Sequence, residues 1–178
     1  KRRWRSPGKG RERMYPEKAS MKRIKLLKDC PEYAAVLAYW SYNLWYRNRP
    51  IDYDTIIAAY RQRARDGAIP LSWVAVEESM PVGMATLKEN DLWSRKDLNP
   101  WLASLYVVPE FRRRGLAGEL IDSVTGKARE LGLERVYLFL GHGDEMDLAA
   151  FYTRRGWRYL EDAHDNDGHP TKIFYYLL

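Results

Sequence analysis

The sequence predicts an α/β fold, a mixed sheet of about seven strands with helices on both faces. Short apolar runs of strand length alternate with segments whose apolar residues recur every three or four positions, and clusters of Gly, Pro, Asn and Asp separate them. With 46% apolar residues, thirteen Tyr and seven Trp, the composition fills a packed core and excludes a disordered chain. At 178 residues the chain has the length of one domain, which buries a core without disulfides or metal.

Taken in order, Lys22 to Leu27 alternates basic and apolar residues and reads as a half-buried first strand with Ile24 and Leu26 on one face. Asp29 and Glu32 have capping-box spacing and Pro31 suits a first turn, which predicts a helix to about Trp45. A second helix is expected from near Asp54 through Ile56, Ile57, Tyr60 and Ala64, stopped by Gly67 and Pro70. Leu71–Glu77 and Val82–Lys88, separated by Glu78, Ser79, Met80 and Pro81, read as a hairpin. A polar loop over 89–100 leads to a continuous apolar run, Trp101 to Val108, expected to be a central strand. Leu116, Leu120, Ile121, Val124, Ala128 and Leu131 keep helical spacing, with Gly132 as the C-terminal cap. Val136–Leu140 reads as a buried strand. A helix from about Glu145 to Arg155, ended by Gly156, then precedes a strand from Trp157, a polar loop over Glu161 to Pro170 and a last strand from Ile173.

The net charge of +6 is local. Lys1, Arg2, Arg3, Arg5, Lys9, Arg11 and Arg13 against Glu12 account for all of it, so the remainder of the chain is neutral. Residues 1–20 are therefore expected to be a basic, disordered arm with Met14 and Met21 as candidate starts, and residues 21–178 the folded domain. No run approaches the roughly 18 apolar residues of a membrane helix, and no apolar segment follows the basic N-terminus, so a soluble, cytoplasmic protein without membrane partners is expected. The single Cys30 cannot pair within the chain and reads as a small buried residue rather than a nucleophile, and three scattered histidines offer no zinc spacing. No metal is expected.

The informative stretch is Leu105 to Gly118, LYVVPEFRRRGLAG, in which an apolar strand passes through an Arg-rich turn into a helix. First-turn N–H groups and about half a positive charge of helix dipole favour an anion at such a point. Gly115 permits close backbone approach, Ala117 and Gly118 keep the turn free of bulk, and Arg112, Arg113 and Arg114 supply charge for phosphates. A solvated basic turn is the competing reading. Neither the Walker spacing nor G-x-G-x-x-G is present.

The pattern from Arg112 to Ala117 resembles the acetyl-CoA signature of the GNAT N-acetyltransferase superfamily. The preceding L-Y-V-x-P-E-F resembles that family's fourth strand, and Ala149 to Trp157, AAFYTRRGW, resembles its A-x-F-Y-x-x-x-G-F segment; together they span roughly residues 101 to 160. Pro100 to Ala103 is similar to a subgroup of bacterial acetyltransferases. The resemblance implies a mainly antiparallel sheet, acetyl-CoA as donor and direct attack by an amine in a ternary complex. It further implies that Leu105, Tyr106 and Val107 face the pantetheine arm and thioester beside a bulge, and that Arg112, Arg113, Arg114, Gly115, Leu116, Ala117 and Gly118 hold the pyrophosphate. Tyr152 takes the general-acid position, where a phenol of pKa about 10 is protonated at neutral pH.

The strand position that carries a catalytic glutamate in the histone-acetylating branch is Trp101 here, so another base is needed. Glu89 ranks first, with Asp91, His142, Asp144 and Glu145 as alternatives; Asp144 also suits a helix cap, and Glu145 stands where many relatives have Asn. Three functional readings stay open, two of them for the acceptor and one from a different class. A small amine, aminoglycosides included, suits the acidic residues Glu89, Asp91, Asp144, Glu145, Asp162, Asp165 and Asp167; a protein N-terminus or lysine needs a groove along the sheet. A nucleic-acid-binding module would use the arm and Arg112 to Arg114. Tyr39, Trp40, Tyr42, Trp45 and Tyr46 line an acceptor pocket or pack in the core. The expected partners are acetyl-CoA and an amine, with nucleic acid disfavoured and a homodimer left open.

Overall fold

A computed structural model describes residues 23–65, 68–141 and 147–178. The basic arm, Gly67, His142, Asp144 and Glu145 fall outside the described residues. Seven strands form one sheet: β1 (Ile24–Leu26), β2 (Leu71–Glu77), β3 (Met80–Lys88), β4 (Trp101–Val107), β5 (Arg135–Phe139), β6 (Arg158–His164) and β7 (Pro170–Leu177). They lie in the order β1-β2-β3-β4-β5-β7-β6, so β4 is central, as its apolar run predicts. Every neighbouring pair is antiparallel except β4 and β5.

Strand alternation divides the core between the two faces. Trp73, Ala75 and Ala85 join the cluster built on α3 (Leu116–Glu130) and on Tyr152 of α4 (Leu148–Arg154), whereas Val74 and Met84 join that of α1 (Ala34–Ser41) and α2 (Tyr53–Arg63). A third cluster, Leu92, Leu98, Trp101, Tyr137 and Ile173, shows the 89–100 loop packed on the strands as a third cover. The indole N–H of Trp101 donates to the Leu98 carbonyl at 2.6 Å, which satisfies the one polar atom of a fully buried side chain.

Element ends differ from the sequence expectation where backbone context overrides propensity. Asp29 lies inside a 3-10 turn, Leu27–Asp29, and so cannot cap the helix after it; Pro31–Tyr33 makes a second such turn before α1, and the helix continues to Tyr46 as a π turn. α2 begins at Tyr53, near Asp54 as expected, and is capped by Asp52, whose carboxylate accepts the Thr55 N–H at 2.7 Å. The Thr55 side chain first, and its backbone N–H second, hold the Asp52 carboxyl below the ordinary carboxylate range. Asp147 caps α4 through the Ala150 N–H at 2.9 Å, so this helix begins three residues later than expected. The hairpin turns at Glu78 and Ser79, both with positive φ, and β3 starts at Met80. The polar stretch Glu161–His164 is strand, because an edge strand open on both faces needs hydrogen-bonding partners from β7 but no apolar alternation.

Gly83 fixes how closely β3 approaches β4. A Cβ there would lie 2.8 Å from the Tyr106 carbonyl oxygen and 3.3 Å from Val107 Cγ2, and the first of these is backbone that cannot swing away. Gly83→Ala is expected to lower stability by about 1–3 kcal/mol in equilibrium denaturation. An unchanged unfolding midpoint would mean that the two backbones stand further apart.

Candidate active site

The site begins where β4 parts from β5. The two strands share one register pair, Trp101 with Tyr137, and the Tyr137 N–H donates to the Pro100 carbonyl at 2.9 Å. Beyond that pair the strands diverge, which opens a wedge in the middle of the sheet. On the β3 side the register slips between Met84 and Thr86, opposite Ala103 and Tyr106, and Ser104 has φ 52. This bulge is the one expected in the fourth strand. It turns local backbone away from the ladder toward the wedge.

Side chains of β4 are shared between the faces. Leu105 and Val107 pack with the α3 cluster, and Tyr106 points to the α1 side, where its ring lies 5.4 Å from that of Trp40. At the end of β4 the chain makes a short 3-10 turn, Pro109–Phe111, and enters α3 through Arg113 (φ 61) and Gly115 (φ 85). Gly115 occupies the N-cap and brings no side-chain acceptor, so the helix start is left to an external one. The first intrahelical bond runs from the Glu119 N–H to the Gly115 carbonyl at 3.1 Å.

The three arginines of this turn are not equivalent. Arg112 Nε donates back to the Val107 carbonyl at 3.0 Å and ties the turn to the strand end. Arg114 donates to the Glu110 carbonyl at 3.1 Å, lies over the Phe111 ring and pairs with Glu77 at 3.5 Å. Arg23 joins Glu77 to the same turn by donating to the Arg114 carbonyl. Two arginines therefore brace the loop, and Arg113 is exposed in the conformation that turns its backbone. The positive-φ glycine, uncapped helix start and open wedge fit the pyrophosphate and extended arm of acetyl-CoA.

Tyr152 lies on α4 at 8% exposure, with its ring 5.1 Å from Phe151 and 5.8 Å from Trp157. Glu89 is exposed just past the end of β3, and Asp91 pairs with Lys88 at 2.5 Å. On the α1/α2 side of the bulge, Ser104 lines a cavity of about 30 Å³ with Ser41, Tyr46, Tyr60, Arg63 and Lys88. A groove of about 440 Å³ lies between Trp93–Arg95 and Glu161–Asn166, on the far strands of the sheet. Sequence reasoning missed Ser104, Arg63 and Arg49. Arg49 donates to both carboxylate oxygens of Asp167, at 3.1 and 2.6 Å, and its guanidinium lies 5.5 Å from the Tyr46 ring and 5.6 Å from that of Trp93.

Two alternatives lose support. Cys30 is 2% exposed, burial pushes its thiol up to about 11 from an ordinary 9.0, and it donates to the Leu26 carbonyl, so it is a protonated core residue. Asp165, Asp167 and His169 bring ligand atoms within 4.8 Å of one another. Asp165 accepts the N–H groups of Asp167 and His169, however, and Asp167 holds Arg49, so these carboxylates shape a turn. Among the described residues no helix is long and apolar enough to cross a membrane.

A family model described as the acetyltransferase (GNAT) family matches residues 33–157. The chain belongs to that family, and it is an acetyl-CoA-dependent N-acetyltransferase. An aminoglycoside 6′-N-acetyltransferase complexed with coenzyme A is 15% identical, with 86% of this chain and 96% of that one covered and a TM-score of 0.65. A ribosomal-protein-alanine N-acetyltransferase from Brucella melitensis is 19% identical over 87% and 99% of the two chains, with a TM-score of 0.64. Ard1 from Thermoplasma volcanium is 15% identical over 88% and 98%, with a TM-score of 0.63. These likenesses are of fold. Among curated proteins none matches the sequence significantly.

The glycine turn makes a sharp prediction. Gly115→Asp puts a side chain at φ 85 and a negative charge at the turn where the cofactor phosphates are expected. Coenzyme A should then cease to raise the melting temperature, while an undiminished shift would remove this turn from the site.

Proposed function

We propose that the chain acetylates a primary amine of a small, positively charged acceptor, in a ternary complex with acetyl-CoA. The observation that carries the transfer reaction is the wedge between β4 and β5 leading to the uncapped start of α3. For a small acceptor, the support is Arg49, which ties the α1–α2 connection to the β6–β7 loop and so encloses the sheet face beside the bulge. An extended polypeptide would need that face open. Glu89 adds an exposed acidic group at the end of β3.

Acetyl-CoA supplies an activated acetyl group, and the chain supplies position and protons. Backbone N–H groups of Arg113 to Gly118 hold the pyrophosphate, so that binding fixes the reacting partners and provides much of the rate. Backbone of Leu105 to Val107 lines the pantetheine arm, and an amide beside the Ser104 bulge donates to the carbonyl oxygen as negative charge develops. The amine nitrogen bonds to the acetyl carbon as the C–S bond breaks. Its surplus proton leaves toward Glu89. Register pairs Lys88 with Trp101, so Glu89 stands beyond the start of β4, roughly 13 Å of strand from Ser104, and a chain of waters relays the proton. Tyr152 gives its phenolic proton to the departing sulfur and regains one from solvent.

A rate panel of polyamines, aminoglycosides, amino acids and N-terminal peptides tests the acceptor reading. Small polycationic amines should show the highest kcat/KM, and a peptide that exceeds them would overturn it. Tyr152→Phe should lower kcat by about 10² or more with coenzyme A affinity and melting temperature nearly unchanged. Wild-type kcat in the folded variant, with a lowered melting temperature, would instead mark a structural hydroxyl.

A further inference from the structure

One cation beside the turn takes no part in the transfer scheme. Arg155 follows the last residue of α4, and its side chain crosses to α3. A Cβ built on Gly118 would collide with Arg155 Nη2 and would lie 2.7 Å from Cζ and 2.8 Å from Nη1. The guanidinium therefore rests against the bare backbone of the helix's first turn, in a space that only glycine leaves open. The two helices it joins, α3 and α4, flank the cofactor wedge.

Electrostatics oppose this resting place. The first turn is the positive end of α3, and Arg112, Arg113 and Arg114 stand immediately before it, while Glu119, the acidic residue of that turn, is paired with Arg23 at 3.6 Å. Among the described residues, Arg155 is held there by Asp122, one turn further along, at 3.6 Å with its side chain 75% exposed, and by the face of Phe151 at 5.6 Å. The first is too long for a hydrogen bond and open to solvent, so it offsets little of the repulsion. A partly exposed cation set at the positive end of a helix, beside an Arg- and Gly-containing turn, is placed to meet an incoming anion.

We propose that Arg155 is a phosphate ligand for the coenzyme A nucleotide, contributed by α4, and that it clamps the nucleotide between α4 and the start of α3. The proposal rests on the reading that the Arg113–Gly118 turn holds the pyrophosphate. Arginine suits the task because its planar fork binds two phosphate oxygens at once, which lysine cannot do. Gly118 then serves two ends, as a backbone donor and as the surface on which the guanidinium waits.

Calorimetric titration with coenzyme A and with dephospho-coenzyme A, at two salt concentrations, tests this without turnover. Arg155→Ala should weaken coenzyme A binding about tenfold or more and flatten the salt dependence, and Arg155→Lys should recover part of the loss. Equal weakening for both ligands assigns the contact to the pyrophosphate. Weakening confined to coenzyme A assigns it to the 3′-phosphate. Should the Ala variant fail to fold, the Lys variant and its salt dependence carry the test alone. Binding of both ligands within twofold of wild type by Arg155→Ala, or by Arg155→Lys if only that variant folds, overturns the proposal. Gly115→Asp, run alongside, separates the two readings. If it abolishes binding while the folded Arg155 variants do not weaken it, only the clamp fails; if it leaves binding intact, the turn assignment fails as well.

Discussion

A single parallel pairing in an otherwise antiparallel sheet constrains everything else in this molecule. β4 and β5 share one register pair near the start of β4 and then separate, so the middle of the sheet has two strand segments that face a gap. Buried backbone groups need partners, and a gap of this kind persists only where a ligand or solvent meets them. The bulge at Ser104 and the close approach enforced at Gly83 set β4's backbone on the other side. α3 then starts at the mouth of the gap, because the chain has only the short turn after Val107 in which to reverse.

Charge follows from this geometry more than from composition. The net charge of +6 belongs to the N-terminal arm, and the arginines of the turn mostly brace it: Arg112 against the strand end, Arg114 against Glu77 and Phe111. On the proposed reading, anion binding is chiefly the work of oriented amides at a helix start whose N-cap is glycine, with side-chain cations in support. The same logic explains why Gly115 cannot be replaced freely. Its left-handed conformation turns the chain, and a capping side chain would compete for the amides the ligand requires.

Much of this is legible in the sequence, because strand, glycine turn and amphipathic helix are local signals. The run Trp101 to Val107, the period from Leu116 and the stop at Gly132 each report their own neighbourhood. Helix starts are less legible. Several aspartates compete near each one, and tertiary packing selects Asp52 and Asp147. The hidden features depend on contacts distant in sequence: the positive φ of Ser104, the bond of Arg49 to Asp167 118 positions away, and the position of Arg155 over Gly118. No window of residues carries those signals, since each needs the sheet to be assembled first.

The central claim is that coenzyme A occupies the wedge and the turn beyond it, and backbone amides report this directly. Hydrogen–deuterium exchange with and without saturating coenzyme A should show new protection concentrated in residues 103–107 and 113–120, with α1 and α2 little changed. Protection centred on Trp93–Arg95 and Glu161–Asn166 instead, with the β4 end and the start of α3 exchanging as in the free protein, would contradict it.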